Sequence, residues 1–373
     1  MPPILSFLRR IGILPRIRVL FFFHETTWSG APIQLWHVVH ALQARGYGVA
    51  AAVPKTGAAE SGPISGSLAK MGAEIFPLVD LSRPPKMEEL RALCGQFDVV
   101  VANTLVMWAA VEAANAEGIP VIWYIHESRV AEQLLAHNPG MQPALELADL
   151  LVMPTRRTAW LYAAFTDRAI EVVPYGIPPA PEQPKRPRET QTHFLLLGSY
   201  ERRKGQDIFL EAIAQIPEEA RLRGAFRMAG RALEMDFHAD LASRAATLPN
   251  VELGSALEHD AALAATSAAD VLVCASRDET MPIAILEAMS LGKAIVSTEV
   301  GGISEWLTDG KNALIVPAEN SAALAQALTR CLNEPGFVAN LGAESRRTFT
   351  ESFSIHQLGT NFARLIEQVR TKR

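Results

Sequence analysis

The sequence predicts an α/β protein that contains two doubly wound domains in tandem. In the first half of the 373-residue chain, apolar runs of strand length alternate with segments of helical length. A segment rich in proline and charge follows at 178–191, and the same alternation then starts again. This alternation is typical of parallel sheets that helices cover on both faces.

The first domain is expected to span residues 1–180. Its opening strand is the apolar run within 17–23, and the segment 31–46 that follows has the pattern of a helix ending at a glycine. Further strands are predicted in 47–54, 73–78, 98–103, 120–126, 150–154 and 170–176, with helices in 62–71, 86–95, 107–117 and 155–165. The continuous apolar character of these strands indicates that both faces of the sheet are buried.

The second domain is expected to span 193–351, after a stiff, solvated linker at 181–192. Its strands are predicted in 193–199, 227–230, 250–254, 270–276, 293–298 and 312–317. Residues 352–373 have the pattern of a long amphipathic helix with a basic end. Open parallel sheets bind ligands at the carboxyl ends of their strands. We therefore expect the two domains to face a central cleft and the informative residues to follow the strands.

The composition argues against several classes of protein. A net charge of −5 gives no sign of nucleic-acid binding. Cys94, Cys274 and Cys331 are far apart, which argues against a disulfide framework or a zinc site and fits a reducing cytoplasm. No apolar run approaches the length of a membrane span.

The amino terminus has amphipathic character. Apolar residues within 4–11 can share one helical face, with Arg9 and Arg10 off that face. No small-residue cleavage site follows, so a signal peptide is not expected. Two interpretations stay open: a short helix packed on the domain, or a helix in peripheral contact with a membrane surface.

In the first domain, two strand ends carry candidate ligand groups. Gly30 and Ala31 open the helix after the first strand, where small residues and free N–H groups favour a phosphate; helix capping is the alternative. The dinucleotide fingerprint GxGxxG is absent there. His126, beside Glu127, ends the strand at 120–126 and is either a ligand-facing or a structural histidine.

In the second domain, a basic run follows the first strand. Arg202, Arg203 and Lys204 stand between that strand and the next helix, in an otherwise acidic protein. Arginine and lysine side chains can neutralise a diphosphate without a metal ion. The sequence contains no Asp-x-Asp pair, so no metal site is expected. The alternative is a solvated basic surface.

Glu279 and Glu287 stand eight positions apart with Pro282 between them. Proline favours the start of a helix, so Glu279 should lie on a loop and Glu287 on the buried face of the helix that follows. Carboxylates accept hydrogen bonds from vicinal hydroxyls, as the acidic residue of dinucleotide folds does with ribose. The alternative for Glu287 is a buried ion pair with an arginine.

Residues 276–306, SRDETMPIAILEAMSLGKAIVSTEVGGISEW, resemble the Glu-x7-Glu signature region of glycosyltransferase family 4, a family of retaining enzymes with the GT-B fold. The similarity continues through SGAP, IHES, VVPYGI, RKG and NALIVP, in that order along most of the chain. The resemblance implies two Rossmann-like domains that face a central cleft, with the terminal helix crossing back to the first domain.

The resemblance also implies roles for individual residues. Glu287 should hold the ribose of a nucleotide, and His126 should contact the donor sugar near the reacting carbon. Lys204 should neutralise the diphosphate with Arg202 or Arg203. The donor sugar and diphosphate should also contact Glu279 and the segment Thr280, Met281, Pro282 and Ile283, together with Gly30 and Ala31 in the first loop.

Four positions depart from the family pattern. Gly198-Ser199 stands where Gly-Arg is usual, and Met281-Pro282 where Phe-Gly is usual. Tyr175 replaces the usual Asn of a Pro-Asn-Gly motif, and Gly30-Ala31 replaces Gly-Gly. The first two departures remove one phosphate-binding arginine and one backbone donor.

The sequence is thus interpreted as a retaining, metal-independent glycosyltransferase without a cofactor. It would move a sugar from a UDP- or GDP-linked donor to a hydroxyl of a glycan or lipid-linked acceptor, in cell-surface polysaccharide or lipopolysaccharide biosynthesis. His126, Glu279 and Lys204 are the catalytic candidates, and His24, Trp28 and Asn103 are candidates on the acceptor side. The protein would act in the cytoplasm or at the inner face of the plasma membrane. The alternatives are a nucleotide-sugar epimerase of the same fold and a non-catalytic nucleotide-sugar-binding protein.

Overall fold

The computed structural model describes residues 17–28, 30–55, 62–78, 87–128, 130–181 and 191–372. They form two compact units, the first made of Met1–Ile177 with Ser354–Arg373 and the second of Pro178–Phe353. Each unit contains one parallel sheet with helices around it, so the two predicted α/β domains are confirmed. The expected amino-terminal helix and most of the expected linker lie outside the described residues.

The first unit has a seven-stranded sheet in the order β3-β2-β1-β4-β5-β6-β7. Its strands are β1 (Arg18–Phe22), β2 (Gly48–Pro54), β3 (Glu74–Leu78), β4 (Val99–Asn103), β5 (Val121–Tyr124), β6 (Leu150–Met153) and β7 (Ile170–Val172). Its helices include α1 (Gly30–Gln43), α2 (Pro63–Lys70), α3 (Met87–Cys94), α4 (Trp108–Ala116), α5 (Val130–His137), α6 (Met141–Leu145) and α7 (Arg156–Tyr162). Helices α5 and α6 were not predicted from the sequence. The strands β4, β5 and β6 are buried along their whole length, because helices cover both faces of the sheet.

The second unit has a six-stranded sheet in the order β10-β9-β8-β11-β12-β13. Its strands are β8 (Thr192–Leu197), β9 (Gly224–Ala229), β10 (Val251–Gly254), β11 (Val271–Cys274), β12 (Ala294–Thr298) and β13 (Leu314–Val316). Its helices are α8 (Gln206–Gln215), α9 (Glu218–Arg221), α10 (Met235–Ala245), α11 (His259–Ala268), α12 (Ile283–Ser290), α13 (Ser321–Asn333) and α14 (Pro335–Ser352). Strand β8 begins at Thr192, one residue inside the interval that the sequence assigned to the linker.

The last helix, α15 (Ile355–Lys372), belongs to the first unit, as predicted. The Ile355 N–H donates to the carbonyl of Ile177 at 3.1 Å. The Arg45 guanidinium, just after α1, donates to the carbonyl of His356 at 2.7 Å. Phe362 and Leu365 of α15 are fully buried, so the helix completes the core of the first unit.

Each sheet has one place where its strand order reverses. In the first unit it lies between β1 and β4, and in the second between β8 and β11. The loops that leave the carboxyl ends of two such strands diverge to opposite faces of the sheet and leave a crevice for a ligand. Among the described residues, no helix has the length and apolar character needed to cross a bilayer.

Candidate functional site

The crevice of the second unit is formed by the loops after β8 and β11. The first loop passes through a 3₁₀ turn, Arg202–Lys204, and reaches Gly205 with φ of +69°. A Cβ at Gly205 would lie 2.0 Å from the carbonyl oxygen of Ala275, so only glycine allows the two loops to touch there. The backbone N–H of Arg277 also donates to the carbonyl of Arg203 at 2.8 Å. The basic turn is therefore fixed against the loop that carries the glutamates.

Three of the predicted site residues come together in this crevice. The Lys204 ammonium pairs with the Glu279 carboxylate, and Arg203 Nη1 lies 3.4 Å from the same oxygen, Oε1. Ser276 Oγ donates to that oxygen as well, at 3.3 Å. Glu279 is only 9% exposed, so its charge is shielded from water and compensated by the two cations. The arrangement is a cationic pair that already holds one anionic group.

The two arginines of the basic turn have different environments. Burial opposes the charge of Arg203, but Glu279 and Glu201 outweigh it and raise the pKa of the guanidinium. Arg202 is instead paired with Glu234 at 3.7 Å, and its guanidinium lies over the ring of Phe237. The geometry therefore selects Arg203, not Arg202, as the arginine beside Lys204.

Arg277 links the two loops, a role that no sequence pattern indicated. Its guanidinium donates to both carboxylate oxygens of Asp207 at 2.9 Å, and it pairs with Glu319 at 3.0 Å. The hydrogen bond to Asp207 raises the pKa of the guanidinium. Its side chain also donates to the backbone carbonyl of Arg202. Because Arg277 and Asp207 are 70 residues apart, no local pattern could have paired them.

The backbone of the glutamate loop is supported by the loop after β12. Gly301 has φ of +57°, and a Cβ there would lie 1.6 Å from the carbonyl oxygen of Glu279. The N–H of Gly302 donates to the carbonyl of Thr280 at 2.9 Å. The chain then enters α12 at Ile283, with Pro282 as the residue before the first helical turn. The start of α12 adjoins this loop and can offer backbone N–H groups to an anion, although Pro282 contributes none.

Glu287 lies on α12, as predicted, with a side chain that is 12% exposed. Burial raises the pKa of its carboxyl group to about 7. Its partner is His259 Nδ1 at 3.6 Å, at the start of α11, and not the arginine considered in the alternative interpretation. The carboxylate thus has room for further hydrogen bonds.

The crevice of the first unit brings together three more of the predicted residues, which are His126, Asn103 and His24. His126 follows β5 and is 7% exposed. Its Nδ1 is 2.8 Å from the Tyr175 hydroxyl, and its Nε2 is 2.7 Å from Asn103 Oδ1. Burial, with a smaller effect of neighbouring His24, lowers the pKa of His126 to about 3, so the imidazole is neutral.

The backbone beside Asn103 is strained. Thr104 has φ of 72° and ψ of 159°, a region that essentially only glycine adopts. Trp123 Nε1 donates to its carbonyl at 2.7 Å. The half-buried Glu127 carboxylate accepts from the N–H groups of Leu105 and His126 at 3.0 and 3.1 Å. These hydrogen bonds surround the strained residue after β4 and can stabilise its conformation.

Two other predicted groups of the first unit are more open. Trp28 is 41% exposed and packs edge-to-face on Trp36, with ring centroids 5.4 Å apart. Gly30 opens α1, followed by half-buried Ala31, and a Cβ at Gly30 would meet nothing within 4 Å. Within the described ranges, no three His, Cys, Asp or Glu side chains are grouped as a metal ion would require.

The two doubly wound domains have the fold of solved GT-B glycosyltransferases such as HepE and WaaG. Comparison with known families gives the same result. Residues 28–180 match the model described as Glycosyltransferase Family 4, and residues 191–334 match the model described as Glycosyl transferases group 1. The chain is a glycosyltransferase, with a family 4 domain followed by a group 1 domain.

Individual relatives are distant. The chain is similar to the D-inositol 3-phosphate glycosyltransferase of Xylanimonas cellulosilytica, with 27% identity over 285 residues, 68% of this chain and 67% of the relative. It is similar to the glycogen synthase of Mycobacterium tuberculosis, with 27% identity over 288 residues, 72% of this chain and 68% of the relative. The structure resembles that of Anabaena HepE in complex with UDP and glucose, with a TM-score of 0.79 and 17% identity, covering 95% and 100% of the two chains. At that identity the structural likeness supports the fold alone.

Proposed function

We propose that this glycosyltransferase moves a sugar from a nucleoside diphosphate sugar to a hydroxyl of a glycan or lipid-linked glycan, with retention at the anomeric carbon. The observation that carries the proposal is the convergence of Lys204 and Arg203 on one buried carboxylate at the β8/β11 crevice. UDP-glucose is the donor to test first, because a structure of HepE, whose fold this chain shares, was determined with UDP-glucose.

The diphosphate of the donor is proposed to bind the cations that Glu279 holds in the free protein. A diphosphate offers more negative charge and more acceptor oxygens than one carboxylate, so it competes well for Lys204 and Arg203. Glu279 is then released to accept hydrogen bonds from the hydroxyls of the donor sugar, which the segment Thr280–Ile283 borders. Two cations neutralise the leaving group, so transfer is proposed to proceed without a metal ion.

The nucleoside is proposed to bind at Glu287. Its carboxylate can accept hydrogen bonds from both ribose hydroxyls. Because the carboxyl pKa is about 7, the group is only partly ionised in neutral solution, and ribose hydroxyls favour the ionised form. Nucleotide binding at neutral pH should therefore release protons from the protein.

In the proposed transfer the diphosphate is both the leaving group and the base that takes the acceptor proton. The bond between the anomeric carbon and the diphosphate breaks, while the acceptor oxygen attacks the same face of the sugar. The acceptor proton passes to the departing phosphate oxygen. Lys204 stabilises the charge that develops on the diphosphate, an effect of about 3–4 kcal/mol for one well-placed donor. The acceptor is proposed to bind the first unit, where His24 and Trp28 follow the end of β1 and Asn103 ends β4.

Titration calorimetry with UDP, GDP and ADP tests the nucleotide site. We expect one of the first two to bind, and we expect Lys204→Ala to weaken that binding at least about tenfold, since a hydrogen bond to a charged group contributes about 1.5–3 kcal/mol. Lys311→Ala, which removes an exposed lysine of the same unit, is the matched control and should bind as the wild type does.

Two results would count against the proposal. If Lys204→Ala leaves nucleotide binding unchanged, the basic turn does not bind the nucleotide. A nucleotide sugar that is isomerised in the absence of any acceptor, and never transferred, would identify an epimerase instead.

A further inference from the structure

His126 is enclosed by aromatic rings and hydrogen-bonded at both nitrogens. Tyr124 packs on the imidazole with ring centroids 4.1 Å apart, and Tyr175 packs on it at 5.5 Å. Of these two tyrosines, Tyr175 places its hydroxyl 2.8 Å from Nδ1. The Tyr124 hydroxyl is buried without a hydrogen-bond partner among the described residues.

The chemistry of the partners determines where the imidazole proton lies. A neutral imidazole has one N–H group and one nitrogen that accepts. Asn103 Oδ1 can only accept, so Nε2 carries the proton and donates at 2.7 Å. Nδ1 then accepts from the Tyr175 hydroxyl, which can donate. The hydrogen bonds run in one direction, from Tyr175 through His126 to Asn103.

This chain of hydrogen bonds ends in an unsatisfied donor. Asn103 is fully buried, and its amide nitrogen has no partner among the described residues. A buried donor without a partner is costly, and such a group calls for a functional explanation. The hydroxyl of the strained Thr104, the next residue, is also buried without a partner. Both groups lie at the carboxyl end of β4, beside the crevice of the first unit.

We propose that Tyr175 is a positioning residue. Through His126 it fixes the orientation of the Asn103 side-chain amide, so that the NH₂ group can donate a hydrogen bond to an oxygen of the substrate. The proposal rests on the proposed transfer function and adds a role to a position where the family pattern has asparagine. His126 then serves as a fixed link and not as the base that takes the acceptor proton, because the Tyr175 hydroxyl occupies its only accepting nitrogen. Hydrogen bonds in such a series polarise one another, which strengthens the final amide donor.

Nitrogen NMR of the full-length protein labelled with ¹⁵N-histidine tests the direction of the chain without any substrate. We expect His126 to carry its proton on Nε2 and to keep the same signals between about pH 5.5 and 8, the range in which an ordinary histidine titrates. His126→Gln assigns the signals by their loss. Tyr175→Phe should shift the Nδ1 signal, whereas Tyr124→Phe, which removes a hydroxyl without a partner from the same imidazole environment, should leave it in place.

Release of UDP from UDP-glucose tests the consequence for transfer. In Tyr175→Phe we expect kcat to fall about tenfold, the effect of losing a hydrogen bond of about 1.4 kcal/mol, with KM for UDP-glucose changed less than about twofold. Tyr124→Phe should keep kcat within about twofold of the wild type, because its hydroxyl has no hydrogen-bond partner in the described part of the chain. Thermal melting of both variants confirms that the fold is intact.

Several outcomes would overturn the proposal. A proton on Nδ1 of His126 in the wild type would reverse the direction of the hydrogen bonds between Tyr175, His126 and Asn103. An equal loss of kcat in both tyrosine variants would show that packing, not the hydroxyl, is responsible. An unchanged kcat in Tyr175→Phe would remove Tyr175 from the reaction. A protein that releases no UDP from UDP-glucose contradicts the proposed donor instead. The NMR comparison of the tyrosine variants then tests the direction of the hydrogen bonds without any donor.

Discussion

Glu287→Gln distinguishes the effect of the buried carboxylate on the stability of the fold from its proposed role in nucleotide binding. Burial raises the pKa of Glu287 from 4.5 to about 7. Between these values the folded protein binds the proton more tightly than the unfolded chain does, so stability falls as the pH rises through this window. At about 1.36 kcal/mol for each pH unit, the ionised carboxylate costs about 3 kcal/mol once the pH exceeds 7.

Glutamine keeps the shape of the side chain and cannot ionise, so Glu287→Gln should be more stable than the wild type in neutral and alkaline buffer. We expect an advantage of up to about 3 kcal/mol at about pH 8, which corresponds to a rise in melting temperature of about 6–12 °C for a domain of this size. Near about pH 4, below both pKa values, the carboxyl is mostly protonated in the folded and the unfolded protein, and the two proteins should melt together. Differential scanning calorimetry across this pH range measures the effect.

The same substitution should weaken UDP binding. Loss of the charged acceptor removes about 1.5–3 kcal/mol from the hydrogen bonds to ribose, a decrease in affinity of about ten- to hundredfold. Titration calorimetry in two buffers of different ionisation enthalpy should also show the proton release of the wild type disappear in the variant.

A particular pair of results would refute this reasoning. If Glu287→Gln is less stable than the wild type at every pH, the ion pair with His259 at 3.6 Å outweighs the cost of burial. If UDP affinity is unchanged, Glu287 does not hold the ribose. His259→Ala distinguishes the first case, because a dominant ion pair would make its destabilisation match that of Glu287→Gln.

The remaining expectations concern the metal and the loop contacts. Transfer should survive excess EDTA, since Lys204 and Arg203 supply the positive charge; complete loss that Mn²⁺ restores would contradict the role of Lys204. Arg277→Lys should weaken UDP binding about tenfold, because lysine cannot hold Asp207 through two parallel hydrogen bonds and the basic turn loses its support. Arg330→Lys, a substitution in α13 at an arginine paired with exposed Glu334, is the control and should leave UDP affinity unchanged. Equal affinities in the two arginine variants would assign Arg277 a structural role only.

The sequence predicted the parts of the site that follow from strand ends. Buried parallel strands are visible as apolar runs, and ligands bind where such runs stop. Lys204, Glu279 and Glu287 could be selected in this way, because charged residues stand out beside apolar segments. Pro282 correctly indicated where α12 begins, since its φ is fixed and it lacks an N–H group.

The contacts between side chains could not be predicted in the same way. The bonds of His126 to Asn103 and Tyr175 join residues 23 and 49 positions apart, and they depend on the register of neighbouring strands. The choice of Arg203 over Arg202 depends on the orientation of a three-residue turn, which a run of three basic residues does not reveal. The strain at Thr104 is invisible in sequence, because threonine is an ordinary residue at the end of a strand.

The glycines of the second unit have a consequence for engineering. At Gly205 and Gly301, peptide groups from different loops touch with no room for a methyl group between them. The loops after β8, β11 and β12 are therefore shaped against one another's main chains, and none can be exchanged without disturbing its neighbours. A change of donor preference made by transplanting segments from another transferase would need all three loops from one parent. Single side-chain substitutions that leave these peptide contacts intact are the alternative.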